Sequence, residues 1–198
     1  MCVTVKRDLC LSHAESFSSP FEYFTSPKAL NANLAARILT WLETAASWKL
    51  VEANFYEQYE FSLWNTALPF DIEILVSTDF INNLRVQVGE LFKTEFGCKV
   101  DVTAHKLVQG QRIRLHNDFV PGQETHRLLI QLNRGWKNED GGLLLLFNSS
   151  DPADIHKAFR PIHNTALGFI VSPTSHHAVS TVHGGERFTL VYSFYGNG

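Results

Sequence analysis

The residues of this chain best placed to do chemistry are His116, Asp118, the adjacent pair His176 and His177, and Arg187. A His-x-Asp pair with one later histidine gives a metal two imidazoles and one carboxylate on one face. The opposite face stays open, an arrangement suited to Fe(II) oxygen chemistry. The arginine suits another task, because its planar two-donor fork can hold the far carboxylate of a dicarboxylic co-substrate. The same ligand set also serves zinc hydrolases, which add a glutamate base. The chain has no His-Glu-x-x-His, and a hydrolase has no use for Arg187, so iron is the better assignment.

The neighbouring sequence makes the pattern more specific. It reads Gly-Gln-Arg-Ile-Arg-Leu-His-Asn-Asp over 110–118, Arg-Leu-Leu-Ile-Gln-Leu-Asn over 127–133 and Gly-Gly-Leu-Leu-Leu-Leu-Phe over 141–147. Gly-Phe-Ile-Val-Ser-Pro-Thr-Ser-His-His-Ala-Val follows over 168–179, and Glu-Arg-Phe-Thr-Leu over 186–190. Residues 99–195 resemble the catalytic core of the Fe(II)- and 2-oxoglutarate-dependent dioxygenases of the prolyl-4-hydroxylase-like group. The resemblance implies Fe(II), 2-oxoglutarate and dioxygen as cofactor and co-substrates, with succinate and carbon dioxide released as a C–H bond is oxidised. It implies His116, Asp118 and His177 as metal ligands, since His177-Ala178-Val179 fits the family's His-x-Val with Phe169 upstream. His176 then faces the opposite side.

In the same comparison Arg187 and Thr189 take the distal carboxylate of 2-oxoglutarate, and Gln131 stands where relatives often carry a tyrosine. The tyrosine that often precedes the His-x-Asp is replaced by His105-Lys106-Leu107, and Gly141-Gly142 matches a structural turn. Asp118 keeps the carboxylate ligand, so no coordination place is vacated for chloride. Hydroxylation is the expected outcome.

The elements that must position these residues follow from periodicity. Leu34, Ile38, Leu39 and Leu42 mark an amphipathic helix over 31–44. Ile81, Leu84, Val88, Leu91 and Phe92 mark a second, capped by Thr78 or Asp79 and ended by Gly97. Residues 1–27 read as an irregular arm, and 49–64 as one or two strands broken by Pro69. From Val100 the chain turns to short runs at 100–108, 111–116, 127–133, 143–147, 167–172, 178–182 and 187–195. This predicts a mostly β fold with flanking α-helices: a double-stranded β-helix, the cupin-like jelly roll, with N-terminal helices packed on one sheet. Residues 1–198 form one domain in this reading, with 1–98 a helical and strand support region and 99–195 the catalytic core.

Strand alternation places Arg112, Arg114 and His116 on one face, with Ile113 and Leu115 on the other. Arg127, Leu129, Gln131 and Asn133 share a face in the same way. If His116 points inward, Arg112, Arg114 and Arg127 share that interior, and desolvated cations need partners. The expected substrate is therefore a small anionic molecule, such as a free amino acid or biosynthetic intermediate. The aromatic segment 55–64 borders the site, with Tyr56 and Trp64 as candidate substrate contacts. Two other classes stay open: an oxygenase acting on a peptidyl residue, and a catalytically silent jelly-roll binding protein. His105, His126, His156, His163 and His183 lack ligand spacing and read as structural or surface residues.

Composition sets the outer bounds. At 198 residues, 44% hydrophobic and 19% charged, the chain suits a single globular domain. A net charge of −3 with scattered Lys and Arg offers no footprint for a nucleic-acid backbone. The opening residues lack the apolar run of a signal peptide, and no stretch is apolar enough for a membrane helix, so a cytoplasmic location is expected. Cys2, Cys10 and Cys98 have no metal spacing and read as free thiols.

Overall fold

The computed structural model describes residues 8–196. Twelve strands form two antiparallel sheets, and two helices cover the outer face of the larger one. In chain order the elements are β1 (Glu15–Phe17), β2 (Tyr23–Ser26), α1 (Ala32–Thr44), β3 (Lys49–Glu52), β4 (Glu57–Ser62), α2 (Thr78–Phe92) and β5 (Phe96–Leu107). Then come β6 (Ile113–His116), β7 (His126–Gln131), β8 (Leu144–Phe147), β9 (Ile155–Phe159), β10 (Thr165–Ile170), β11 (His177–Val179) and β12 (Arg187–Gly196). The eight-stranded sheet runs β1-β2-β10-β7-β12-β5-β4-β3, and the four-stranded sheet runs β6-β11-β8-β9. The expected helix-covered jelly roll is the fold observed.

Helix α1 forms where its apolar residues recur at helical spacing. Asn31 caps it by accepting from the Asn33 N–H, and Leu34, Ile38, Leu39 and Leu42 are buried. Helix α2 is capped by Ser77, one residue earlier than expected, with the Ser77 hydroxyl accepting from Phe80 N–H at 3.3 Å. It ends at Lys93, not Gly97. Lys93 takes a left-handed conformation at φ 53°, and the Thr94 N–H closes the end on Gly89 O at 3.0 Å. Gly97 instead lies within β5.

Two departures concern strands. The expected irregular arm contains β1 and β2, which extend the large sheet beside β10; residues 1–7, Cys2 among them, lie outside the described residues. Strand β9 was not anticipated. It is exposed along most of its length at the edge of the small sheet, so no core pressure imprints alternation on it.

Strand β12 shows how the fold aims side chains at the site. Phe188, Leu190, Tyr192 and Phe194 are buried against the helices, while Arg187, Thr189, Val191 and Ser193 face the space between the sheets. A one-residue slip would exchange the two sets. Burying each large apolar side chain contributes about 1.5–3 kcal/mol, so the outer layer pins the register that puts Arg187 inside. A second apolar cluster, with Leu107, Leu146, Phe169, Val179 and Val191, fills the space between the sheets around the cavity.

Candidate metal centre

His116 and His177 are direct cross-strand partners on β6 and β11. Asp118 follows two residues beyond His116 in a left-handed conformation, φ 57°, which aspartate tolerates better than most residues. Its Oδ2 lies 3.3 Å from His116 Nε2 and 3.0 Å from His177 Nε2. One ligand atom from each of the three lies within 4.8 Å of the others, so a single ion can be held by all three.

The imidazoles are held in a metal-ready state. His116 Nδ1 donates to Arg114 O and His177 Nδ1 to Ser175 O, each at 2.8 Å, which leaves both Nε2 lone pairs facing the common point. Phe55 stacks on His116 with centroids 4.5 Å apart, and Phe169 packs on His177 at 4.7 Å. Burial raises the Asp118 carboxyl, but the His116 and His177 side chains beside it and the Arg127 charge outweigh this and hold it below its ordinary value. Burial lowers His177, opposed by the adjacent Asp118 carboxylate. A carboxylate and two neutral imidazoles are the protonation states a divalent metal requires.

His176 lies outside this cluster, on an outer groove with Phe119 and Val120, and its Nδ1 contacts Thr174 O at 3.2 Å.

Arg187 is buried, with 3% of its surface exposed. Its Nε donates to Gly142 O at 2.8 Å and its Nη1 to Thr189 Oγ1 at 2.8 Å, and Thr189 donates on to Gln131 Oε1 at 2.9 Å. Nη2 has no partner, and no carboxylate pairs with this guanidinium among the described residues. Burial lowers its pKa to about 10, so it stays charged at neutral pH. A buried, unpaired cation with an orphaned donor facing a cavity is costly unless an anion completes it. A carboxylate is the kind of group that would complete it. Gly142, at φ +60°, allows the close approach: a Cβ there would lie 3.0 Å from Arg187 Cδ and 3.2 Å from Trp136.

The expected substrate residues fare unevenly. Arg127 lines the cavity, donating to Asp118 through Nη1 and to Glu124 through Nη2 and Nε, so two carboxylates already satisfy its charge. Tyr56 also lines the cavity. Arg112 and Arg114 do not: both are exposed and border an outer groove beside Glu52 and Glu57. The cause is a bulge. On β11 His177 and Val179 are two residues apart, but their partners on β6, His116 and Ile113, are three apart. The extra residue reverses the alternation, bringing Ile113 into the cavity and turning both arginines outward. Trp64 is also outside, 46% exposed, with its indole N–H on Val100 O. Asn133 lies beyond β7 and bonds Pro161 and Phe188.

His105, read as structural or surface, faces the cavity. Burial lowers its pKa to about 3, helped by the Arg127 and Arg187 charges, so the ring is neutral. Glu60, His105, Thr189 and Gln131 form one cross-strand row over β4, β5, β12 and β7. Gln58 and Glu60 line the cavity too, within the segment expected to border the site but not singled out there, and Thr103 was missed. Alternation along β4 could have signalled Gln58 and Glu60 as one face, but not which face was inward.

Residues 102–194 match the family pattern of the 2OG-Fe(II) oxygenase superfamily. The chain is similar to that superfamily over a little under half of its length, a stretch that includes His116, Asp118, His177 and Arg187. It is a 2-oxoglutarate-dependent dioxygenase that uses Fe(II), 2-oxoglutarate and dioxygen. Its fold is similar to that of a prolyl-4-hydroxylase from Pseudomonas putida, with TM-score 0.72, 17% identity, and 89% of this chain and 93% of the other covered. It is also similar to a Trichoplax adhaerens prolyl hydroxylase solved with a hypoxia inducible factor peptide fragment, with TM-score 0.67, 12% identity and 87% and 83% coverage. A third is the viral collagen prolyl hydroxylase of Paramecium Bursaria Chlorella virus-1 in its 2-oxoglutarate complex, with TM-score 0.60, 13% identity and 94% and 97% coverage. No helix of the described residues is long and apolar enough to cross a membrane.

Proposed function

We propose that this oxygenase hydroxylates an unactivated C–H bond of a small substrate, with residues 1–98 as support and 99–195 as catalytic core of a single domain. The observation that carries the site assignment is the pairing, in one cavity, of the His116–Asp118–His177 cluster with the buried, unpaired Arg187. In this reading His116, Asp118 and His177 hold Fe(II), while Arg187 and Thr189 hold the distal carboxylate of 2-oxoglutarate, with Gln131 fixing the Thr189 hydroxyl. Bound iron, with 2-oxoglutarate and dioxygen, supplies an oxidant able to take hydrogen from a C–H bond, with succinate and carbon dioxide released.

The protein's own part is to prepare that chemistry. The Nδ1 donations to Arg114 O and Ser175 O fix both imidazole tautomers, and Arg127 holds the Asp118 carboxylate toward them. Phe55, Phe169, Val179 and Val191 wall the cavity with apolar surface that limits water. The cavity measures about 280 Å³, which limits what enters to compact groups.

The exposed positions of Arg112 and Arg114 and the double pairing of Arg127 remove the support those residues lent to an anionic substrate. A second reading, oxidation of a peptidyl residue, is favoured by the apolar rim just outside the cluster, where Phe119 is 39% and Val120 54% exposed beside Phe55 and Leu115. The similar prolyl hydroxylase from Trichoplax adhaerens was solved with a peptide fragment, which supports this reading.

The deciding experiment is anaerobic addition of Fe(II) and 2-oxoglutarate to purified protein. A weak visible charge-transfer band is expected, followed in air by succinate release that rises when the correct substrate is present. No band at millimolar 2-oxoglutarate would overturn the reading.

A further inference from the structure

The β4 wall of the cavity is built differently from the wall that carries Arg187. Glu60 lines the cavity with its side chain 25% exposed. Its one polar partner within hydrogen-bond distance among the described residues is Gln58, whose Nε2 donates to Glu60 Oε2 at 2.7 Å and contacts His105 Nδ1 at 3.3 Å. That contact fixes Gln58 Oε1 as the other end of the amide. Gln58 is 2% exposed, and this oxygen is buried with no donor.

The charge balance isolates Glu60 further. Arg127 is taken by Asp118 and Glu124, and Arg187 is bonded to Thr189 and Gly142 O and makes no ion pair with Glu60. His105 Nε2 is 3.9 Å from Glu60, but burial keeps that ring neutral. Lys49 is the cross-strand neighbour of Glu60, is exposed, and makes no ion pair with it. Tyr56 lines the same cavity; its phenol is raised first by burial and then by the Glu60 and Asp118 charges, with Arg127 opposing. A carboxylate, a buried unsatisfied acceptor and an aromatic ring together are the groups that bind a cationic nitrogen.

We propose that Glu60, Gln58 and Tyr56 form a subsite for a positively charged nitrogen, so that the substrate carries an ammonium or guanidinium group. This rests on the oxygenase reading and extends it. The cation offsets the Glu60 charge, donates to Gln58 Oε1 and packs against Tyr56, while a neighbouring carbon is presented to the metal cluster. A free basic amino acid and a basic side chain on a peptide share this chemistry.

The test uses whole protein loaded anaerobically with Fe(II) and 2-oxoglutarate, with probe binding followed by calorimetry and by perturbation of the visible band. The probes are L-lysine, L-arginine, L-norleucine, L-glutamate, and lysine and arginine capped as N-acetyl N-methylamides. At least one cationic probe is expected to bind ten times or more tighter than neutral norleucine, and Glu60→Gln is expected to reduce that preference to about twofold while the band persists. Tighter binding of the capped forms identifies a peptide-borne group, and of the free forms a small molecule; either supports the subsite. Equal or tighter binding of norleucine or glutamate, no binding of any cationic probe, or an unchanged preference in Glu60→Gln overturns it. The lysine against norleucine comparison needs no variant, so it stands even if Glu60→Gln folds poorly. Absence of the band before any probe is added would instead count against the oxygenase reading itself.

Discussion

Arg127 donates to the same oxygen of Asp118, Oδ2, that faces His116 and His177. The guanidinium is also forked onto Glu124, so it is fixed from both sides and positions the carboxylate. Removing it should loosen the carboxylate, and losses of support behind a ligand typically cost 10- to 100-fold in metal affinity. Arg127→Met is expected to weaken Fe(II) binding by about that factor in a competitive chelator titration. It should also destabilise the fold, because Glu124 loses its partner. Arg127→Met with Glu124→Gln separates the two effects: stability should recover in part and metal affinity should not. Wild-type metal affinity in the single variant would sink the positioning role.

Replacement of the cluster itself gives a sharper pattern. His116→Ala, Asp118→Ala and His177→Ala should each abolish the Fe(II)–2-oxoglutarate band, whereas His176→Ala should leave it, since that ring sits on the outer groove. Loss of the band in His176→Ala with retention in His177→Ala would reverse the assignment of the second histidine.

Arg187 acts at the end of the co-substrate remote from the metal. A hydrogen bond to a charged group contributes roughly 1.5–3 kcal/mol, so Arg187→Ala should weaken 2-oxoglutarate binding about ten- to a hundredfold with Fe(II) affinity near normal. Thr189→Val should cost less, about two- to tenfold, because it removes one neutral hydroxyl. Gly142→Ala should resemble Arg187→Ala, since the added methyl presses on the guanidinium stem. An unchanged 2-oxoglutarate affinity in Arg187→Ala would remove the co-substrate role.

How much of this was visible in the sequence depended on whether a residue's position follows from local pattern. The jelly roll and α1 were legible because burial imposes periodicity on them, and the inward face of β12 because Arg187, Thr189 and Ser193 alternate with apolar residues. The His116–Asp118–His177 cluster was legible because its spacing and flanking text are distinctive. The faces of Arg112 and Arg114 were not, because the bulge opposite Ala178 depends on how β6 pairs with β11, which no window of β6 alone contains. Glu60 and His105 were hidden for a related reason: they meet only through the lateral order of β4 and β5. Trp64 was over-read, since its ring reaches outward to Val100 just past the end of β4.

His126 provides a test of the fold apart from the metal site. Its ring is packed between Phe92, 4.6 Å away, and Phe96, 5.0 Å away, on the side of β7 that faces α2. Burial lowers its pKa to about 4 from an unfolded value near 6.5. Between those values the unfolded chain binds the proton and the folded protein does not. This group's contribution to stability is therefore fully present above about pH 6.5 and is lost as pH falls toward 4. From pH 7.5 to pH 5 the loss should be about 1–2 kcal/mol, after allowing for partial exposure of the ring. His126→Phe, which keeps an aromatic ring but cannot take up a proton, should lose correspondingly less over the same interval. Denaturant midpoints of metal-free protein at the two pH values measure the difference. Parallel losses in wild type and variant would show that His126 does not titrate as its burial requires.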